Sequence, residues 1–172
     1  MHHLGFLSRL FSKSNQTKEI KKRDVLSIQI GDILEYDLVD YEVVGKITYR
    51  EGKYKWYSYQ LLGENKSVWL SAEMDDELEL GIYEKIQLPE ASQIPPKLEY
   101  KQTAYFLEEQ GQAQVTGEGR SSPLTGQQMR YAEYSNQGET SNISVEDWGS
   151  EVEVSIGYTI QPYEIKIIAG SL

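Results

Sequence analysis

Carboxylates and aromatic rings are the chemistry this sequence offers. Two acidic runs stand out: Asp75, Asp76, Glu77 and Glu79, then Glu146, Asp147, Glu151 and Glu153. Hard cations such as Ca²⁺ take about six to eight oxygen ligands, and acidic runs can supply them. Neither run has the Asp-x-Asp-x-Asp-Gly spacing of a calcium loop. Strand alternation puts Glu77 with Glu79, and Glu151 with Glu153, on one face, where they read as solvated and edge-protecting. Glycosidase chemistry needs two carboxylates at a set separation, and spacing singles out no such pair. The aromatic candidates are Trp56, Tyr57, Tyr59, Tyr131 and Tyr134, on strands that correspond between the two halves of the chain. With nearby acids they make a cleft for a small organic cation of polyamine type, held by cation–π contacts. The competing reading is cross-strand and core packing, the common use of aromatics in sheets.

Other chemistries lack their residues. The chain has no cysteine, and its only histidines are His2 and His3. Thiolate nucleophiles, Cys-ligated metals and His-based triads are therefore not expected in the folded part. Gly117-Glu118-Gly119 lacks the trailing Lys-Ser/Thr of a phosphate loop. No catalytic residue, metal ligand or cofactor is assigned.

Charge is unevenly placed along the 172 residues. Residues 1–23 carry six basic side chains and one acid, a net of +5, and the remainder carries 11 basic and 26 acidic, a net of −15. An acidic body repels phosphate, so nucleic acid is not an expected partner. On a helical wheel, residues 3–13 place Leu4, Phe6, Leu7, Leu10 and Phe11 on one half, with Arg9 and Lys13 on the other. This predicts a short amphipathic helix and basic tether over 1–23. It is too short to span a bilayer and lacks the form of a signal peptide. Leu4, Phe6, Leu7, Arg9, Leu10, Phe11 and Lys13 would meet an anionic membrane surface. Docking on a protein partner, or on the chain's own core, are the alternatives.

From residue 24 onward the periodicity is two. Tyr41, Val43, Gly45, Ile47 and Tyr49 alternate with Glu42, Val44, Lys46 and Thr48. Val152, Val154, Ile156, Tyr158 and Ile160 alternate in the same way near the end. The spacing predicts an all-β fold of short antiparallel strands joined by hairpins.

The two halves also resemble each other. Leu34-Glu35-Tyr36 matches Leu98-Glu99-Tyr100, and Tyr41 matches Tyr105. Trp56 to Tyr59 matches Tyr131 to Tyr134, Leu70 to Glu73 matches Ile143 to Glu146, and Glu77 to Leu80 matches Glu151 to Val154. The expectation is an internal duplication: two tandem antiparallel units, barrel- or sandwich-like, over 24–88 and 97–172. A proline-containing linker over 89–96 joins them.

The runs Ile30-Gly31-Asp32-Ile33-Leu34-Glu35-Tyr36, Tyr41 to Ile47, Trp56 to Leu62 and Val68-Trp69-Leu70 resemble an uncharacterised bacterial family. It is catalogued as domain of unknown function 4178. The opening Phe6-Leu7-Ser8-Arg9-Leu10-Phe11 is similar to openings of that family. The resemblance implies no activity. Relatives tend to be encoded near membrane and phage-shock-type proteins and aminopropyltransferase-like enzymes, which implies a part in envelope maintenance.

The expected function is a non-enzymatic adaptor or binding module. It would lie in the cytoplasm at the inner face of the plasma membrane, with a protein partner on its acidic β body. The alternative is a sensor or carrier for a small cation in the aromatic cleft. A carboxylate-based hydrolase is a third reading.

Overall fold

The computed structural model describes residues 24–170. The expected helix within 1–23, with its seven membrane-contact residues, lies outside the described residues. Among the described residues there are eleven strands and three short 3₁₀ turns, and no α-helix. The all-β expectation therefore stands.

The strands are β1 (Ile33–Tyr36), β2 (Val39–Glu51), β3 (Tyr54–Leu62), β4 (Ser67–Met74), β5 (Leu78–Ile86), β6 (Lys97–Tyr100), β7 (Thr103–Gly119), β8 (Gln128–Asn136), β9 (Asn142–Asp147), β10 (Val152–Ile160) and β11 (Ile165–Ala169). They form one sheet in the order β11-β1-β2-β3-β4-β5-β10-β9-β8-β7-β6, and a β2–β7 pairing joins its two arms. Eight strands, β2 to β5 and β7 to β10, thus close an antiparallel barrel. Strands from both halves of the chain thus share one barrel, where the sequence predicted a barrel- or sandwich-like unit in each half. The linker region holds a 3₁₀ turn, Pro89–Gln93, whose Ala91 is fully buried.

The two longest strands make the closure possible. The start of β2 pairs with β1, through Ile33 to Glu42 and Tyr36 to Val39. Its later half pairs with β7, through Gly45 to Gly119 and Arg50 to Gln114. The start of β7 pairs with β6 before that strand too crosses over. A β-bulge marks the change of partner in each: the register shifts between Val43 and Gly45 in β2, and between Leu107 and Glu109 in β7. An extra residue reverses which face the following side chains occupy. Val43 pairs with Leu61 and faces one core, whereas Gly45 pairs with Gln60 on the opposite face. The unbroken alternation from Tyr41 to Tyr49 therefore feeds two different interiors.

Those interiors are three apolar clusters. The first packs on the outer barrel face of β3, β4 and β5 and includes Ile28, Leu34, Tyr41, Val43, Tyr59, Leu61, Leu70, Leu80 and Ile82. Residues 25–30, β1 and β11 cover it. The second occupies the corresponding outer face of β8, β9 and β10, around Leu98, Tyr105, Ala132, Tyr134, Ile143, Val145 and Val154. The third lies inside the barrel, where Ile47, Tyr49, Ala113, Val115, Met129, Tyr131 and Trp148 fill part of the lumen.

The hairpins that open the two arms are alike. Asp37 and Leu38, between β1 and β2, have φ of 50° and 63°, and Lys101 and Gln102, between β6 and β7, have 46° and 66°. Two successive left-handed residues make the type I′ turn that suits the twist of a two-residue hairpin. Glycine or asparagine usually stands there, so four ordinary side chains in this conformation are strained.

Candidate functional site

The barrel lumen that the third cluster leaves open is a cavity of about 250 Å³. Its wall is made by the second set of alternating residues, the ones facing away from the two outer cores. On β3 these are Trp56 and Ser58, on β4 Trp69, Ser71 and Glu73, and on β5 Glu79, Gly81, Tyr83 and Lys85. The other arm contributes Glu109 from β7, Met129, Tyr131 and Glu133 from β8, Asn142, Ser144 and Glu146 from β9, and Glu153, Ser155 and Thr159 from β10. The face read from sequence as solvated is thus, at Glu79 and Glu153, part of the cavity wall. The physical reason is that the apolar faces of these strands are covered from outside the barrel, which turns their polar faces inward.

Among the described residues, six glutamates and one lysine line this space. The ladders set the glutamates opposite one another in three pairs: Glu73 with Glu79, Glu109 with Glu133, and Glu146 with Glu153. Directly opposed like charges destabilise a strand pair, since their Cβ atoms stand only ~5 Å apart. Three such pairs around one enclosed space are a concentrated anionic field.

The cavity answers this field partly by holding protons. Burial pushes the Glu133 carboxyl up to about 8, against a weaker opposing pull from the Ser144 hydroxyl; Glu146, Glu109 and Glu73 raise it further. Ser144 Oγ donates to Glu133 Oε1 at 3.0 Å. Burial likewise pushes Glu146 up to about 7, although Tyr49 donates its hydroxyl to Glu146 Oε2 at 2.6 Å. Tyr49 itself is raised well above the ordinary phenol value, first by burial and then by Glu146. Tyr131 donates to Glu51 Oε1 at 2.7 Å and is raised by burial and by that bond.

The one lysine shows how an ammonium group sits here. Lys85 Nζ lies 2.8 Å from Glu153 Oε1 and 5.8 Å from the centre of the Trp69 ring. Carboxylate on one side and indole face on the other is the arrangement that cation–π recognition uses. Further rings line the same wall. Tyr49 stacks on Trp56 with centroids 5.3 Å apart, and Trp56 meets Tyr131 edge-to-face at 5.5 Å. Tyr83 stands between Gly81 and Gly157, where any Cβ would run into its ring.

A second concavity of about 550 Å³ continues the first outward. It shares Glu79, Asn142 and Thr159 with the cavity and adds Glu77, Ser135, Glu139 and Gln161. It is an acidic mouth at one end of the barrel. Among the described residues no three acidic or histidine side chains are arranged to hold a metal ion.

The five aromatic candidates separate by face. Trp56 and Tyr131 line the cavity and touch. Tyr57 and Tyr59 stack on each other at 6.1 Å on the outer face, with Lys46 Nζ 5.1 Å from the Tyr57 ring and 5.7 Å from the Tyr59 ring. Tyr134 is buried in the second outer core and donates to the Pro95 carbonyl at 2.8 Å. Sequence reasoning passed over Glu73, Glu109 and Glu133, together with Tyr49, Trp69 and Tyr83. Their signal was acids and rings recurring at alternate positions opposite strongly apolar faces, on strand after strand.

The fold and wall define a closed antiparallel barrel with a polar, acidic lumen. The chain belongs to the family described as Domain of unknown function (DUF4178), whose model matches residues 29–162. It is similar to an uncharacterized protein of Mycobacterium bovis, 28% identical over 149 residues, covering 80% of this chain and 69% of the relative. An uncharacterized protein of Mycobacterium tuberculosis matches with the same identity and coverage. No solved structure matches.

Proposed function

We propose that the chain is a binding protein whose barrel cavity takes up a small organic cation of polyamine type. The observation that carries this is the set of three opposed glutamate pairs on the cavity wall, beside the ring faces of Trp56 and Trp69. A cation with several separated ammonium groups offsets separated carboxylate pairs; a single metal ion needs its oxygens gathered at one point. The cavity volume equals about eight waters at ~30 Å³ each, enough for a slender ligand whose tail extends into the mouth. Trp56, Trp69 and Tyr131 supply ring faces and edges beside the carboxylates.

The two arms read as copies of one five-stranded unit, β1 to β5 and β6 to β10, so the cavity forms where the copies meet. In that reading the equivalences in the middle strands differ by two residues from those that sequence similarity suggests. The ladders set Leu61 opposite Val43 and Tyr134 opposite Leu107, which makes Leu61, rather than Tyr59, the counterpart of Tyr134. An even shift preserves every inward or outward assignment.

The adaptor role at a membrane rests on residues outside the described part, so the cavity favours the ligand-binding reading. The hydrolase reading keeps one point in its favour. Burial raises Glu133 to about 8, which suits a carboxyl that holds its proton as a general acid does. Six carboxylates around so small a space suit a cation better than a neutral sugar.

Thermal unfolding of the full chain with and without spermidine at pH 8 tests the proposal. The expected result is a saturable rise in Tm that Glu109→Gln with Glu133→Gln, or Trp56→Ala, reduces or removes. No rise at millimolar spermidine would overturn it.

A further inference from the structure

We propose that Glu153 and Trp69 form an ammonium subsite of the cavity that Lys85 occupies in the free protein, so that a ligand's ammonium group enters by displacing the lysine. This rests on the reading of the cavity as a cation site and gives that site a first point of attachment.

The strand register builds the subsite. On one side of β5, Trp69 of β4 pairs with Tyr83; on the other, Ser155 of β10 pairs with Lys85. Lys85 is two residues past Tyr83 and so stands diagonal to Trp69. Glu153 is two residues before Ser155 and so stands diagonal to Lys85. Diagonal neighbours, ~7–8 Å apart, are within reach of long side chains. Ser155 is short, which leaves the Lys85 stem room to lean along β10. Its Nζ ends 2.8 Å from Glu153 Oε1 and 5.8 Å from the centre of the Trp69 ring. Both contacts go to the ammonium itself. An ammonium carried by another molecule would find the same carboxylate and the same ring face.

Two observations make Lys85 an occupant rather than a fixed part of the wall. Its side chain is 51% exposed and that of Glu153 27%, so the cation lies on the solvent side of the pair. Its only hydrogen bond among the described residues is the one to Glu153, and its four-carbon stem is flexible, so Nζ can swing into water at no other cost. Glu153 has no such freedom. It faces Glu146 across the ladder, and a second acid at that distance favours exchange of one cation for another over an empty place. The path inward is continuous. Tyr49 donates to Glu146 and stacks on Trp56, which meets Tyr131, so the rest of a polyamine lies along rings and carboxylates already in contact.

A partly exposed ion pair with one ring face holds an ammonium in place by about tenfold over its free state. The subsite is then open about one-tenth of the time, and the apparent affinity for a ligand is about tenfold below the intrinsic one.

Titration calorimetry of the full chain with spermidine at pH 8 and low salt tests this as a double-mutant cycle. Lys85→Gln should bind about tenfold tighter than wild type. Lys166→Gln, on β11 outside the barrel, reads the tightening that any lost lysine gives, and the effect of Lys85→Gln should exceed it. Glu153→Gln should bind more weakly than wild type, and adding Lys85→Gln to it should give no more than the Lys166→Gln effect. Lys85→Arg keeps the charge but grips a carboxylate with two parallel bonds, so it should bind spermidine more weakly than wild type. Equal tightening by Lys85→Gln with and without Glu153, or an affinity that Lys85→Gln and Lys85→Arg leave unchanged, would overturn the proposal. The two readings fail differently. Spermidine binding of equal strength in wild type, Lys85→Gln and Glu153→Gln would refute the subsite and leave the cation site standing. No binding in any chain would refute both.

Discussion

Replacing Glu133 by glutamine should make the protein more stable, by an amount that grows with pH. The carboxyl's ordinary value lies near 4.5, and burial raises it to about 8 in the folded chain. Below pH 4.5 both folded and unfolded forms hold the proton, and the residue contributes nothing to pH dependence. Between 4.5 and 8 the unfolded chain has released the proton while the folded one keeps it, so stability falls by about 1.4 kcal/mol per pH unit. Above pH 8 the loss levels off. Between pH 5 and pH 7 this amounts to roughly 2 to 3 kcal/mol. At about 2 to 4 °C per kcal/mol for a chain of this size, the Tm difference between variant and wild type should open by ~5 to 10 °C. Glutamine keeps the acceptor that Ser144 Oγ uses, so the two proteins should melt together near pH 5. Glu146 titrates in both and cancels. The assay is thermal unfolding by circular dichroism at pH 5, 6, 7 and 8 without added polyamine. Parallel Tm curves across that range would refute the claim that Glu133 is a buried, proton-holding group.

Three further substitutions test the frame around the cavity. The Tyr59 hydroxyl is buried in the first outer core with no hydrogen-bond partner among the described residues, so Tyr59→Phe should stabilise by about 1 kcal/mol in chemical denaturation, and a loss of stability would reveal a partner. Leu38 is 92% exposed at φ 63°, so Leu38→Gly should relieve strain and stabilise by about 1 kcal/mol, whereas marked destabilisation would show that its side chain has a contact to lose. A Cβ at Gly157 would strike the Ile82 carbonyl and the Tyr83 ring, so Gly157→Ala should cost about 1–3 kcal/mol and disturb the cavity wall; an unchanged Tm would contradict the packing.

Much of the fold was legible because period two is a local property. Each strand announces itself by its own residues, as Val152 to Ile160 do. The strands β1 and β6 were legible for the same reason, in the similar runs Leu34-Glu35-Tyr36 and Leu98-Glu99-Tyr100. Closure was not legible. It depends on the β2–β7 seam and on bulges after Val43 and Leu107, which nothing in Tyr41 to Tyr49 reveals. The site suffered from the same gap. Alternation tells which residues share a face, so Glu77 was grouped with Glu79 and Glu151 with Glu153. It does not tell whether that face meets solvent or a lumen. Once the apolar faces found covers outside the barrel, Glu79 and Glu153 turned inward beside Glu73, Glu109, Glu133 and Glu146. Trp56 and Tyr131 met across the lumen, while Tyr57, Tyr59 and Tyr134, one residue out of phase with them, went to the outer cores.

Titration calorimetry of the full chain with spermidine at pH 6 and pH 8 is the most direct test of the cavity as a cation site. At pH 6 Glu133 and Glu146 hold protons that an incoming ammonium must displace, and at pH 8 most of that cost is gone. The account predicts one saturable event at pH 8, at least about tenfold weaker at pH 6, with protons released on binding. Absence of binding at both pH values, or an affinity that does not change between them, would contradict it.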